Sequence, residues 1–352
     1  MRVFFLLSLI VVFASCQQHS TAEKVSQEIE ILINKQVSPT HSSLRGISVL
    51  SEELAWLSGA KGSIIRTKDA GAHWELLPSP DQDSLDFRDV EAFSSDEAIV
   101  ISAGFPSRIY KTYDTGAHWK LVHENYDSAA FMNSIAFKNK QEGIVFGDVL
   151  GGSHLILITK NGGETWERIP AEKLPKPLEI ENGFAASGSC IAIDDNGNYF
   201  IALGGEEVRV FHSKDGDLWT ASKTPMYAGD ASKGAYSIAF GKGQLIAVGG
   251  DYLEPDSTRF PISSTDGMNW KKTLEPVNGY RSVIDFSEKE NCWLAGGTNG
   301  IDLSTDSGET WNSITSENVN TLQFTPNSSK AYAGTKDGNV FLIEIMNNQK
   351  QD

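Results

Sequence analysis

Positive charge and cysteine are both scarce in this chain of 352 residues. It has 30 Lys and Arg against 46 Asp and Glu, which leaves a formal net charge of −16. So acidic a chain repels phosphate backbones and anionic lipid headgroups, and we therefore expect no nucleic-acid partner and no direct binding to a bilayer surface. The three cysteines, Cys16, Cys190 and Cys292, have a spacing that fits no zinc site.

Motifs for nucleotides and metals are missing as well. The chain has no Gly-rich phosphate loop of the Walker or Rossmann type and no His-Glu-x-x-His zinc motif. The stretch from Asp194 to Asn198 resembles a calcium loop, but it lacks the spaced ligands that such a loop needs, so a plain hairpin turn is the better interpretation. We expect neither a cofactor nor a metal ion.

The N-terminal apolar run, from Val3 to Phe13, is too short for a convincing transmembrane helix. Arg2 before it and Ala14-Ser15-Cys16 after it have the layout of an export signal. Small residues ahead of a cysteine resemble the bacterial lipobox, although Phe13 replaces the usual Leu. The resemblance implies a lipoprotein signal peptide over 1–15, lipidation at Cys16, and a bacterial cell-envelope location, periplasmic or surface-exposed. Without lipidation the segment still predicts export.

One motif is abundant, a Ser or Thr followed at fixed offsets by Asp or Asn, Gly and Trp. Its six copies place the acidic or amide residue and the tryptophan at Asp69 and Trp74, Asp114 and Trp119, Asn161 and Trp166, Asp215 and Trp219, Asp266 and Trp270, and Asp306 and Trp311. Six of the eight tryptophans occupy this one position. A repeat of ~40–50 residues is typical of a propeller or a solenoid.

Each copy lies between two short apolar runs, as a hairpin turn does. The carboxylate can accept backbone N–H bonds, the glycine can adopt positive φ, and the tryptophan can bury its ring at the start of the next strand. The motif is therefore interpreted as structural, and His73 and His118 within it as turn residues.

Two strands precede the third strand and the motif in every repeat, so each repeat is one four-stranded propeller blade. After the sixth copy, Val319 to Phe324, Lys330 to Gly334 and Val340 to Ile345 predict three strands of a seventh blade without a fourth. The alternating segment Ile29 to Lys35 is predicted to supply that strand and close the ring; the alternative is a helical or disordered linker.

The predicted architecture is thus all-β, a seven-bladed propeller of four-stranded antiparallel blades. It spans 29–346, after a polar tether over 16–28 and before a polar tail over 347–352. Cys190 and Cys292 fall in different blades, too far apart for a disulfide, and are expected to be buried thiols.

The motif resembles the Asp-box, or bacterial neuraminidase repeat. The stretches from Trp56 to Trp74 and from Cys292 to Trp311 also resemble blades of the photosystem II assembly and stability factors. That resemblance implies a non-catalytic propeller that holds membrane-protein partners during assembly. A more distant resemblance to sialidases implies three arginines on a substrate carboxylate and a Tyr–Glu nucleophile pair. The chain departs from sialidases in its seven blades and its lack of a Tyr/Phe-Arg-Ile-Pro motif.

Candidate ligand residues come from the start of each innermost strand. In a propeller of this type the D–A and B–C connections share one face, here called the loop face, and the motif turns lie on the opposite, Asp-box face. Aligned repeats place one column at the loop-face mouth of the channel, at Arg45, Arg88, Asn133, Ser189, Tyr236, Arg281 and Asn320. The arginines could dock an anionic ligand or an acidic peptide end. Alternatively, each arginine pairs with a nearby acid such as Asp86, Asp89 or Asp285.

Two long connections, 170–188 and 249–259, are predicted to wall one side of this mouth, unless their length is simple sequence drift. The favoured function is a lipid-anchored, monomeric, non-catalytic scaffold that binds a protein or glycan on the loop face, as an assembly factor for envelope proteins would. The alternative is a sialidase-like glycoside hydrolase that uses Arg45, Arg88 and Arg281 with Tyr236 or Tyr280.

Overall fold

The computed structural model describes residues 28–81 and 85–348. The predicted signal peptide, the lipidation of Cys16 and nearly all of the tether lie outside the described residues. Within the described ranges the chain is almost entirely β-structure, with a single 3-10 turn over Ala171–Lys173. No helix in these ranges is long and apolar enough to cross a membrane.

The first strand, β1 (Glu28–Gln36), precedes three blades that follow one another along the chain. Blade 1 contains β2 (Leu44–Val49), β3 (Ala55–Gly59), β4 (Ile64–Thr67) and β5 (Glu75–Leu76). Blade 2 contains β6 (Asp86–Ala92), β7 (Ala98–Ala103), β8 (Ser107–Thr112) and β9 (Lys120–Asn125). Blade 3 contains β10 (Met132–Phe137), β11 (Gly143–Leu150), β12 (Ser153–Thr159) and β13 (Glu167–Arg168).

Blades 4 and 5 are joined by a small extra pairing. The short strand β14 (Glu181–Asn182) precedes blade 4, which contains β15 (Ile191–Ile193), β16 (Tyr199–Ala202), β18 (Arg209–Ser213) and β19 (Thr220–Lys223). Blade 5 contains β20 (Lys233–Gly241), β21 (Gln244–Asp251), β22 (Ile262–Ser264) and β23 (Lys271–Lys272). The remaining short strand, β17 (Gly204–Gly205), pairs with both β14 and β20, so the blade 5 sheet has six strands.

Blades 6 and 7 complete the ring. Blade 6 contains β24 (Val283–Ser287), β25 (Cys292–Gly297), β26 (Gly300–Ser304) and β27 (Asn312–Thr315). Blade 7 contains β28 (Thr321–Phe324), β29 (Lys330–Gly334) and β30 (Val340–Asn348), and its fourth strand is β1. β1 lies antiparallel to β30 in an unbroken register from Glu28 opposite Asn348 to Gln36 opposite Val340. The predicted seven-bladed fold, closed by an N-terminal strand, is confirmed.

Apolar side chains fill the spaces between neighbouring blades. Trp56 and Ile64 of blade 1, for example, share one buried cluster with Phe87 and Val100 of blade 2. Each sheet is therefore covered on both sides, which explains why the middle strands are almost continuously apolar. Cys190 and Cys292 are free and buried, and burial raises the pKa of each thiol to about 12.

In all six motif turns the Ser or Thr hydroxyl donates to the side-chain oxygen of the Asp or Asn, and the fourth and fifth turns are one residue shorter than the others. In the first copy the Thr67 hydroxyl donates to the Asp69 carboxylate at 3.0 Å, and the same carboxylate accepts the His73 N–H at 2.9 Å. Gly71 has φ 79°, which is why glycine stands there. Asn161 replaces Asp in the third copy and accepts the equivalent N–H with its amide oxygen.

Polar side chains also link neighbouring inner strands. Five of these side chains accept a backbone N–H from the next inner strand: Gln323 from Val49, Ser48 from Ala92, Asp89 from Ile135, Ser237 from Ile284, and Asp285 from Phe324. The distances run from 2.7 to 3.0 Å. The inner wall of the ring is therefore hydrogen-bonded from blade to blade.

Candidate functional site

The loop-face mouth of the channel is covered by the chain itself. Residues 183–189, here called the strap, form the end of the long connection between blades 3 and 4. Hydroxyl hydrogen bonds tie the strap to four blades. The Ser134 hydroxyl of blade 3 donates to the Gly188 carbonyl, and the Thr321 hydroxyl of blade 7 donates to the Ser187 carbonyl at 3.0 Å. The Ser187 hydroxyl donates to the Ser282 carbonyl of blade 6 at 2.7 Å, and the Ser189 hydroxyl lies 2.6 Å from the Ser237 hydroxyl of blade 5. The predicted wall on one side of the mouth is therefore a bridge across it.

A buried ion pair anchors the connection just before the strap. Glu181 accepts hydrogen bonds from Arg209 Nε at 2.6 Å and lies 3.0 Å from His154 Nε2. Burial raises the pKa of Glu181, but the hydrogen bonds from His154 and Arg209 outweigh burial and leave that pKa below its ordinary value. A charged Glu181 thus holds the strap against blades 3 and 4.

Arg45 and Arg88 are the two predicted ligand residues whose side chains are both charged and partly exposed. Arg88 Nη2 lies 2.7 Å from Asp86 Oδ2, and Arg45 Nε lies 3.8 Å from Asp86 Oδ1. The Arg88 side chain keeps 18% of its surface exposed, and the Arg45 side chain keeps 27%. The Nε atoms of both arginines are buried without a hydrogen-bond partner among the described residues. Two cations therefore share one carboxylate and retain unused donors.

Arg281 does not join them. It is fully buried inside blade 6, where its guanidinium binds Asp302 at 2.8 Å and the Asn299 side chain at 2.6 Å. Asp302 is equally buried, so this ion pair is part of the protein interior. The structure thus places Arg281 away from the mouth and gives no support to a direct ligand contact by this side chain.

The other column residues hold the strap or a neighbouring blade. Asn133 is buried and donates to Asp148, which also accepts the Gly183 N–H. Tyr236 is buried and stacks on Phe184 of the strap, with ring centroids 3.6 Å apart. Asn320 donates to the Leu44 carbonyl at 2.9 Å and so joins blade 7 to blade 1. Much of the column that predicted an external ligand therefore binds the chain's own strap.

A pair of exposed aromatic rings on the loop face of blade 2 was missed from the sequence. Phe105 lies in the B–C turn of blade 2 and Tyr126 directly after β9, and both rings are more than half exposed. They meet edge to face with ring centroids 6.2 Å apart, and in the same D–A connection as Tyr126 the ring of Phe131 lies under the Arg88 guanidinium at 5.1 Å. An aromatic residue in a predicted turn is the signal that could have identified this patch, because turns favour Gly, Pro, Asn and Asp.

The tyrosines do not form a nucleophile pair. The Tyr236 hydroxyl donates to the Ser232 carbonyl, and within the described ranges neither Tyr236 nor Tyr280 is hydrogen-bonded to a glutamate. Burial raises the pKa of both phenols, which disfavours the phenolate that nucleophilic attack requires. With Arg281 buried, the three-arginine clamp of a sialidase is also not assembled.

A comparison with known families places the whole ring in one family. The family model described as photosynthesis system II assembly factor YCF48 matches residues 27–342. A curated relative, the chloroplastic photosystem II stability/assembly factor HCF136 of Cyanidioschyzon merolae (strain NIES-3377 / 10D), is 26% identical over 304 residues. That match covers 79% of this chain and 66% of the relative, so the chain spans just under two thirds of its length.

Solved structures show the same fold. The structure of YCF48 bound to D1 peptide matches with a TM-score of 0.62 at 15% identity, over 89% of this chain and 96% of that one. Virginiamycin B lyase from Staphylococcus aureus also matches with a TM-score of 0.62 at 15% identity, over 91% of this chain and 100% of that one. The second likeness involves an enzyme, so the fold alone does not decide between binding and catalysis.

Proposed function

This chain belongs to the photosystem II assembly factor family, and on that premise we propose that it is a non-catalytic scaffold that binds a protein segment on its loop face. The observation that carries the proposal is the pair of partly exposed arginines, Arg45 and Arg88, which share the carboxylate of Asp86. In a chain of net charge −16, such a positive site is selective for a carboxylate on the partner.

The surroundings of the arginines favour a peptide over a small anion. Phe105 and Tyr126 offer exposed rings on the loop face of blade 2, the blade that carries Arg88, and exposed Tyr252 and Leu253 lie on the same face in the connection between β21 and β22. Aromatic and arginine side chains are the groups that most often dominate binding energy in protein interfaces. A carboxylate at the arginines with apolar side chains on the rings is a peptide-like ligand.

A relative's ligand agrees with this chemistry without fixing the partner here. The related YCF48 structure contains a D1 peptide, so a propeller of this family can hold a peptide. We propose peptide binding for this chain, with membrane attachment through a lipid at Cys16 and a role in assembling envelope proteins as further parts of the proposal. The proposed lipid attachment rests on the sequence of the first 16 residues, and the proposed role in assembly rests on the family.

The test uses an array of short peptides with free C-terminal carboxylates, followed by fluorescence polarisation on the retained sequences. We expect retained peptides to be acidic at their end, and the double variant Arg45→Gln/Arg88→Gln to bind them at least tenfold more weakly. Arg259→Gln, on the same face but paired with Glu254, is the matched control and should bind normally. Unchanged affinity in the double variant would refute the arginine site.

The non-catalytic part has its own assay. We expect no hydrolysis of a fluorogenic sialoside by the purified protein. Turnover that scales with protein concentration and disappears in Tyr280→Phe would contradict the scaffold and restore the glycosidase alternative. Arg281→Ala is a poor probe for this purpose, because loss of its buried ion pair with Asp302 would destabilise the blade.

A further inference from the structure

The inner strands enclose a cavity of about 360 Å³ between the strap and the Asp-box face. All seven inner strands contribute to its lining, and Ser187, Gly188 and Ser189 of the strap form its closed end. Its other lining residues run to the ends of the inner strands that adjoin the Asp-box face, such as Phe137 and Ile193. The volume lies within the ~300–1,000 Å³ that small-molecule sites occupy.

Most of the surface that lines the cavity is polar, and three carboxyl groups contribute to it. Asp89 and Glu91 lie on β6, and Asp285 lies across the channel on β24. Asp89 and Asp285 each accept a backbone N–H from the next blade. Glu91 has no hydrogen-bond or ion-pair partner among the described residues, and none of the described lining residues is a lysine, arginine or histidine. The cavity thus has acceptors for a cation and supplies no cation itself.

We propose that this channel cavity binds an alkylammonium group, with the nitrogen at Glu91 and the alkyl stem extended along the channel. A bare metal ion suits the cavity less well, because the described acidic residues are not grouped as metal ligands. A primary amine on a flexible stem of lysine length can bring its charge to these carboxylates inside the channel. This site lies behind the strap, so it is separate from the peptide site proposed on the loop face.

Proton linkage gives the proposal a distinctive signature. Burial raises the pKa of Glu91 to about 8 and that of Asp285 to about 6. An ammonium group beside Glu91 stabilises the carboxylate and therefore lowers that pKa. Binding at pH 7 must then release a proton, and the affinity for an amine must rise between pH 6 and pH 8.

Calorimetric titration with n-pentylamine at pH 6, 7 and 8, in buffers of different ionisation enthalpy, measures the affinity and the proton release together. We expect tighter binding at the higher pH and release of a substantial fraction of a proton at pH 7. The isosteric alcohol 1-pentanol, which has the stem without the charge, should bind at least tenfold more weakly. Glu91→Gln should lose at least tenfold in affinity and nearly all of the proton release.

Three control variants test whether a loss of amine binding is specific to the channel carboxylates. Glu317→Gln, at an exposed position in a loop, should behave as wild type, and so should Arg45→Gln/Arg88→Gln, which separates this site from the loop face. Asp285→Asn, which retains an acceptor for the Phe324 N–H, should weaken binding without abolishing it. Equal affinity for pentylamine and pentanol, or an unchanged pentylamine affinity in Glu91→Gln, would overturn the proposal.

The ammonium group could belong to a free amine or to a lysine of a partner. A hairpin peptide with one lysine at its tip, compared with the same hairpin carrying glutamine there, distinguishes the two sources. Binding of pentylamine together with a lysine preference of the hairpin assigns a protein side chain, whereas binding of pentylamine alone assigns a small amine. Failure of both probes at millimolar concentration refutes the site.

Discussion

Replacement of Glu91 by Gln should make the protein more stable, and increasingly so as the pH rises. Burial in the channel raises the pKa of Glu91 from 4.5 to about 8, so the folded state binds a proton that the unfolded state has released. Between these two values each pH unit costs the folded state about 1.4 kcal/mol. The total destabilisation of the folded state by Glu91 is about 3 kcal/mol at pH 7 and between about 4 and 5 kcal/mol at pH 9, and it is absent near pH 4.

Differential scanning fluorimetry from pH 4 to pH 9 measures the effect. For a folded chain of roughly 300 residues, each kcal/mol shifts Tm by roughly 1.5 °C. Glu91→Gln should therefore raise Tm by about 4–5 °C at pH 7 and by about 7 °C at pH 9, and leave it unchanged near pH 4. Glu317→Gln, at an exposed position, should shift nothing. A Tm difference that is flat across this pH range would refute the desolvation of Glu91.

The remaining predictions concern the motif turns, ring closure and the predicted anchor. The backbone N–H and side chain of His118 lower the pKa of Asp114 to about 2. The contribution of the Asp114 carboxylate to stability is therefore present above about pH 4 and lost as the pH falls towards 2. Asp114→Asn, which keeps an acceptor, should flatten part of the acid limb of a plot of Tm against pH. Deletion of residues 1–38 removes β1 and exposes β30 as an edge strand, so Tm should fall and light scattering should show concentration-dependent association; an unchanged Tm would contradict closure by β1. In a bacterial host, Cys16→Ala should abolish incorporation of labelled palmitate and release the protein from the membrane fraction, and continued labelling would exclude Cys16 as the lipidated residue.

The propeller was predictable because its determinants are local and repeated. Every motif copy carries a side-chain oxygen acceptor, a glycine and a tryptophan within eight residues, so turn and strand order could be derived from the chain alone. Even the closing strand could be inferred, since Val319 to Ile345 left one blade a strand short and Ile29 to Lys35 had the matching alternation. Local hydrogen bonding and hydrophobic alternation are readable in a sequence.

The candidate site was less predictable because it depends on which groups meet across the ring. The column alignment found the correct strand positions, but it could not show that Asp148 joins Asn133 to the strap or that Tyr236 stacks on the strap. Nor could it show that Asp302 would draw Arg281 into the interior. Nor could it show that one carboxylate, Asp86, would serve two arginines. Apart from Arg88 and Asp86, which are two positions apart, these contacts join residues between 15 and 52 positions apart, and no local pattern encodes them.

The pairing of β1 with β30 places a constraint on how the protein is made. β1 is synthesised before every other described strand and its partner after all of them, so it must wait while roughly 300 residues are added, about 15–60 s at ordinary translation rates. Throughout that time an isoleucine-rich strand is present with its hydrogen-bonding edge unpaired, a known starting point for association between chains. The biogenesis of this propeller is therefore most vulnerable at its first strand, where a holding chaperone would have the greatest effect.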